Sequence, residues 1–203
     1  MVQYTAMDAN RIMTDANVAR ARELKKELAD AKARLLQAET ARDALAAHAH
    51  LAIMALHDFE SLPPDGTFRI IDGWNAILRH HNVSKLSSED VSRLKADYLA
   101  SRGIANAAAA PGDRDVQSAP PPASIWIVFD GPDENSFRSG RYRVTYTGGT
   151  GMHRADRLIL DYVHAARLLG LDVSRICVET ADRRLASRLT ALGAAVTAFC
   201  GVS

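Results

Sequence analysis

For about the first sixty residues apolar side chains recur at helical spacing, and after that the pattern changes to short apolar runs separated by helical stretches. Between Asp8 and Phe59 there is neither proline nor glycine, and Ala, Leu, Glu, Lys and Arg dominate, a composition that favours helix at nearly every position. Leu24, Leu28, Ala31, Leu35, Ala38, Arg42, Leu45, Ala49, Ala52, Leu56 and Phe59 advance in alternating steps of four and three. That is a heptad seam with one polar break, at Arg42. A continuous helix over this stretch would run roughly 75 Å at 1.5 Å per residue. A rod of that length needs a partner for its seam. The pattern therefore predicts an N-terminal helical, coiled-coil segment over residues 1–62 that forms a homodimer, with a hairpin folded back on itself or on the C-terminal domain as the rival arrangement.

Pro63-Pro64-Asp65-Gly66 ends the rod. TFRIID then reads as a strand and WNAILRHH as the start of a helix. SSEDVSRLKADYLASRGIANA reads as a second helix, with Ser87 and Asp90 in a capping-box relation. AAAAPGDRDVQSAPPPA has the alanine, proline and polar content of a flexible surface insertion, placed near residues 108–123. Beyond it strands and helices alternate: SIWIVFDG, RYRVTYT, RADRLILDYVHAARLLG, RICVET, RRLASRLTALG and AAVTAFC. Such alternation argues for a mainly parallel sheet with right-handed crossovers. IWIVF and ICVE are apolar at successive positions, as strands covered on both faces must be. The expectation is an α/β domain over residues 66–203, three layers deep (α/β/α).

Composition narrows the function classes. Hydrophobic residues make up 47% and charged residues 24% of the 203, values of a globular chain and not of a disordered one. The formal net charge is only +1, so any nucleic-acid affinity must come from local clustering of arginine. Cys177 and Cys200 lack metal-ligand spacing and sit in apolar, strand-like contexts, which predicts buried free thiols. The N-terminus has no signal-peptide pattern, and the most apolar stretch, Leu51 to Leu56, is too short to span a bilayer. A cytoplasmic protein with no membrane partner is expected.

The candidate chemistry lies where strands end. Asp72 closes strand FRII, Asp130 closes IWIVF, Asp182 follows RICVET, and Asp156 sits in the first turn of the helix after GGTGMHR. In an open parallel sheet the crevice beyond the carboxyl ends of the strands is the binding site. Aspartate is also a common cap and turn residue, so each one alone has a structural reading. Together they pose an electrostatic problem: two carboxylates 4 Å apart repel by about 4 kcal/mol at an effective dielectric of 20. Hard oxygen donors gathered in this way suit Mg²⁺ or Mn²⁺.

DGWN, VFDG, RAD and ETAD, in this order, resemble the motifs of the NYN branch of the PIN-like nucleases, above all the YacP-like group. The resemblance covers about Phe68 to Phe199 and omits the rod. It implies a PIN-like fold and a metal-dependent ribonuclease, an endonuclease by expectation, with Asp72, Asp130, Asp156 and Asp182 as metal ligands and Asn75 as the asparagine of its DGxN motif. Trp74 stands where that family has tyrosine or histidine, and Ala181 where it has serine or asparagine. Under this reading one or two cations activate a water and stabilise charge on the attacked phosphate, and Asn75 holds the Asp72 carboxylate or a metal-bound water; its structural alternative is an N-terminal helix cap. Asp161, about 140° around its helix from Asp156, is held in reserve as a supporting group.

The substrate side is read from arginines. Arg138, Arg141, Arg143, Arg154 and Arg157 lie between proposed ligands, and Arg183 and Arg184 flank Asp182. Guanidinium groups bind phosphate bidentately, and Phe137, Tyr142 and Tyr146 offer stacking surfaces for bases. The expected partner is RNA, single-stranded or structured. The rival reading is an RNA-binding module of the same fold, with weak or lost catalysis, tethered by its coiled coil. A small-molecule phosphohydrolase comes third, because Asp72 is followed by Gly73 and Trp74 and lacks a DxD pair. His48, His50 and His57 read as surface histidines, His80 and His81 as a helix end, and Gly148 to Gly151 as a flexible turn. His153 stands near enough to Asp156 to touch substrate.

Overall fold

The computed structural model describes residues 6–82, 88–104, 124–132, 134–149 and 153–197. The expected insertion near 108–123, the Ser87 capping box, Cys200 and the Thr150–Gly151 part of the glycine turn lie outside the described residues. The chain divides into two compact units, Met1–Ala47 and His48–Ser203.

The described residues of the first unit are all helix. They belong to α1 (Ala6–Glu60), a single 55-residue helix whose last turns are part of the second unit. From residue 17 to residue 47 every side chain is exposed, the seam leucines Leu24, Leu28, Leu35 and Leu45 included.

The second unit carries a six-stranded sheet in the order β3-β4-β2-β1-β5-β6. Its elements are β1 (Phe68–Asp72), α2 (Gly73–His80), α3 (Ser88–Ser101), β2 (Ile125–Phe129), β3 (Glu134–Ser139) and β4 (Tyr142–Thr147), followed by α4 (Arg154–Leu168), β5 (Ile176–Glu179), α5 (Arg183–Leu192) and β6 (Ala195–Thr197). All neighbouring strands pair in parallel except β3 with β4. Alternate residues of each strand feed opposite cores. Phe68, Ile70, Trp126, Val128 and Val178 pack under α4, α5 and the end of α1, whereas Ile71, Ile125, Ile127, Phe129 and Val144 pack under α2 and α3. Two covered faces account for the unbroken apolar runs, and the three-layer α/β expectation holds at that level.

Three expectations need correction. Strand β3 was not foreseen, because ENSFRS is polar and only its second half is even partly buried. It is an edge strand held by antiparallel pairing to β4, and such a strand needs no apolar face. The compact α/β unit also begins earlier than residue 66, reaching back into α1 at His48. There the heptad register fails: Leu51, Ala55 and Phe59 are buried, while Ala49 and Leu56 are exposed. Steps of four along a straight helix bury the face that meets a packed core, whereas the seven-residue seam belongs to supercoiling.

The same face buries a charge. Asp58, 1% exposed, receives two hydrogen bonds from the Arg143 guanidinium, at 3.1 and 2.5 Å, and one from the Tyr162 hydroxyl at 2.9 Å. The guanidinium lies over the Trp126 ring, 4.7 Å from its centre. Burial, and then the neighbouring Asp58 carboxylate, push the Tyr162 phenol far above its ordinary value.

Among the described residues no helix is long and apolar enough to cross a membrane. Cys177 is a free thiol, half-buried and not fully buried as expected, with its sulfur 3.6 Å from the Thr197 hydroxyl.

Candidate active site

Asp72 ends β1 and caps α2. Its Oδ1 accepts from the Asn75 backbone N–H at 3.4 Å, and its Oδ2 accepts from the Asn75 side-chain amide and, at 2.9 Å, from the Thr180 hydroxyl. Of the two roles expected for Asn75, holding this carboxylate is the one observed; the cap itself is Asp72. The next residue must be glycine for steric reasons, since a Cβ at Gly73 would run into the Phe129 ring. That close passage lets the chain turn straight from β1 into α2.

Asp130 follows β2 directly. Its Oδ1 accepts from the Ala155 backbone N–H at 2.7 Å, in the first turn of α4, and from the Thr147 hydroxyl at 3.3 Å. Its carbonyl accepts from Trp74 Nε1 at 2.7 Å. Trp74, half-buried edge-on against Phe129, thus ties α2 to the end of β2.

Asp182 caps α5, its Oδ1 accepting from the N–H groups of Arg184 and Leu185 at 2.6 and 3.0 Å. Thr180 bridges two of the aspartates, donating to Asp72 and accepting from the Asp182 N–H at 3.1 Å. Asp156 stands in the first turn of α4, with Oδ2 2.9 Å from His153 Nδ1. His153 adopts a left-handed backbone, φ 61°, a conformation that costs a non-glycine residue roughly 1–2 kcal/mol.

Of the four aspartates, Asp156 and Asp182 bring carboxylate oxygens within 4.8 Å of each other. Asp156 lies within electrostatic reach of Asp72, Asp130 and Asp182. Burial pushes the Asp156 carboxyl up; the His153 contact partly opposes this, and the charges of Asp182 and Asp130 add to it. Burial also raises Asp72, against the hydrogen bonds from Asn75 and Thr180 and with help from Asp156. The N-termini of α2, α4 and α5 face the cluster with partial positive charge, which offsets part of the repulsion.

One close group of donor atoms differs from the expected four-aspartate set. One donor atom each from His153, Asp156 and Asp182 lie within 4.8 Å of one another. An octahedral Mg²⁺ or Mn²⁺ with bonds of about 2.1 Å spaces its ligands roughly 3.0–4.2 Å apart, so a small side-chain rotation brings these three into range. Asp72 and Asp130 stand beside this group with oxygens engaged by α2, α4 and two threonines. Among the described residues no hydrogen bond reaches Asp130 Oδ2, Asp156 Oδ1 or Asp182 Oδ2. His153 is a ligand candidate in its own right, and its spacing of three from Asp156 across a helix start was the available signal. Thr147 and Thr180 carried none, since threonines are common at strand ends.

A cleft of about 550 Å³ opens between α4 and α5 beside these groups. Asp156, Asp161 and Asp182 line it together with four arginines, Arg154, Arg157, Arg184 and Arg188. Arg188 was not foreseen. It shares a helix face with Arg184 four residues earlier, whereas Arg183, exposed at the first position of α5, is not among the cleft-lining residues. Arg154 also donates to the Thr147 carbonyl at 3.0 Å.

The hairpin arginines are corrected more strongly. Arg143 is 4% exposed and bound to Asp58, so it presents nothing to a phosphate. Arg138 pairs with Arg143, and Arg141 precedes Tyr142, which lies level with Ile125 at the amino end of β2. At about 3.3 Å per residue Arg138, level with Arg143, stands roughly 10 Å back from Tyr146 along the strand, and Arg141 roughly 16 Å. Antiparallel β3 carries them away from the site, which periodicity alone did not disclose.

The fold and site together define a three-layer α/β protein with an acidic cluster at the carboxyl edge of a mostly parallel sheet. No family model, curated protein or solved structure matches this chain.

Proposed function

We propose that the α/β unit is a divalent-metal-dependent ribonuclease. The observation that carries this reading is the meeting of Asp72, Asp130, Asp156 and Asp182 at one sheet edge, with Asp156 raised by burial and by its acidic neighbours. Carboxylates held together against their own repulsion are cheapest to keep when a cation joins them. Asp156, Asp182 and His153 would hold that cation, with Asp130 presenting its Oδ2. A divalent ion bound there supplies charge stabilisation at an attacked phosphate. The remaining work falls to the chain. Asn75 and Thr180 fix the Asp72 carboxylate, Thr147 and the α4 N-terminus fix Asp130, and Arg157, Arg184 and Arg188 orient a phosphate in the cleft. The motif resemblance to NYN nucleases points to RNA, cut internally.

The test uses a labelled single-stranded RNA and its circular form. Both should be cleaved in Mn²⁺ and spared in chelator, and Asp156→Asn and Asp182→Asn should each lose at least about a hundred-fold in rate. Cleavage of the linear form alone would make the enzyme an exonuclease. RNA that is bound yet left intact at every divalent-ion concentration would remove the enzyme and leave the second reading, an RNA-binding module. The helix-capping use of Asp72 and Asp182 favours that second reading, since it gives two of the aspartates a structural purpose without any metal.

A further inference from the structure

Helix α1 leaves Leu28, Leu35 and Leu45 respectively 56%, 60% and 72% exposed. They belong to a heptad run through Leu28, Ala31, Leu35, Ala38, Arg42 and Leu45, and every described side chain from residue 17 to residue 47 is likewise open. Single exposed leucines are ordinary on a helix, but a repeating stripe of them is a surface built to be covered. Size and charge along the stripe say by what.

We propose that a second copy of this chain covers it, running antiparallel, with Leu35 of one copy level with Ala38 of the other. In that register Leu28 meets Leu45, Ala31 meets Arg42 and Leu35 meets Ala38, and the two-fold axis repeats each layer. Large side chains then face small ones at the Leu35–Ala38 layers, which is how helix pairs fill their interface. Arg42 lies across an alanine and reaches solvent along it. A parallel, in-register pair does worse on both counts. It sets Ala31 against Ala31 and Ala38 against Ala38, leaving gaps, and places Arg42 against Arg42.

The flanking charges fit this register and supply its test. Lys32 and Glu39 occupy equivalent flanking positions, and neither has an ion-pair partner among the described residues of its own chain. The antiparallel register sets Lys32 of each copy beside Glu39 of the other, while Lys25 and Arg34 fall beside Ala46 and Ala41. The parallel register places Arg20 beside Lys25, like against like, but also Glu27 beside Lys32 and Arg34 beside Glu39, so the flanking charges accommodate both registers and the layers with Arg42 decide between them.

Light scattering on the full chain should give twice the 22.0 kDa chain mass. In a chain carrying Cys177→Ser and Cys200→Ser, Leu28→Cys and Leu45→Cys present together should oxidise to a covalent dimer, and neither should do so alone. A monomer, a larger assembly, or cross-linking by either single variant would overturn the arrangement. Lys32→Glu should weaken the dimer several-fold, and adding Glu39→Lys should restore it. The same exchange would create two repulsive contacts in a parallel pair, so failure to restore also overturns it. None of these outcomes depends on whether the α/β unit cleaves RNA.

Discussion

Asp156 is the residue on which electrostatics and function meet. Its folded carboxyl sits above the ordinary 3.8, so the folded chain holds this proton more tightly than the unfolded chain does. Stability therefore declines as pH rises from about 3.8 through the raised value, and the loss is complete above it. Asp156→Asn removes that loss. In chelator the variant should melt higher than wild type at pH 7, and the difference should vanish as pH falls below the ordinary carboxylate range. Saturating Mn²⁺ should reverse the order, because only wild type gains from a cation that binds the native state. Thermal melts across pH, with and without metal, check this; equal melting temperatures at pH 7 in chelator would mean that the crowding at Asp156 has no energetic consequence. His153 belongs to the same scale, since the strained backbone that aims its ring at Asp156 is a cost carried at the site.

The element that most alters the sequence reading is the end of α1. Its heptad seam was legible, but the turn at which it gives way to packing against a sheet was not, because the exchange of a seven-residue face for a 3.6-residue face happens within a few alanine-rich turns. Asp58 marks the place. It lies one residue before the expected seam position Phe59, yet it is buried against Arg143, 85 residues away in the chain. Asp58→Ala should cost about 3–5 kcal/mol in urea unfolding, because it strands a buried guanidinium. Asp58→Met with Arg143→Met should cost distinctly less. If the single change costs under about 1 kcal/mol, the pair is solvated and the face is not a core. The strands β1, β2, β4 and β5 and the helices α4 and α5 were readable because burial on both faces, or on one helical face, writes a period into the sequence. Strand β3 writes none, and its existence depends wholly on β4 beside it.

For the molecule as a whole, a net charge of +1 leaves no general attraction for nucleic acid, so affinity must follow the placement of a few arginines. Arg157→Ala with Arg188→Ala should weaken RNA binding and reduce the slope of log K against log salt by roughly 0.7 for each phosphate that is no longer neutralised. Arg138→Ala with Arg141→Ala should leave both unchanged. Filter binding at several salt concentrations separates the two pairs, and equal losses would return the hairpin to the binding surface. The sequence by itself determined the long helix, the alternation of strands and helices, and the strand-end placing of Asp72, Asp130 and Asp182, since each of these is set by local periodicity or by position at the end of an apolar run. Only the tertiary structure decided which side chains share a volume. It turned Arg143 inward to Asp58, carried Arg138 and Arg141 to the far end of the sheet, and brought His153, Thr180 and Arg188 to the aspartates. Contacts between residues distant along the chain depend on strand order and register, and neither leaves a period in the sequence that could be read in advance.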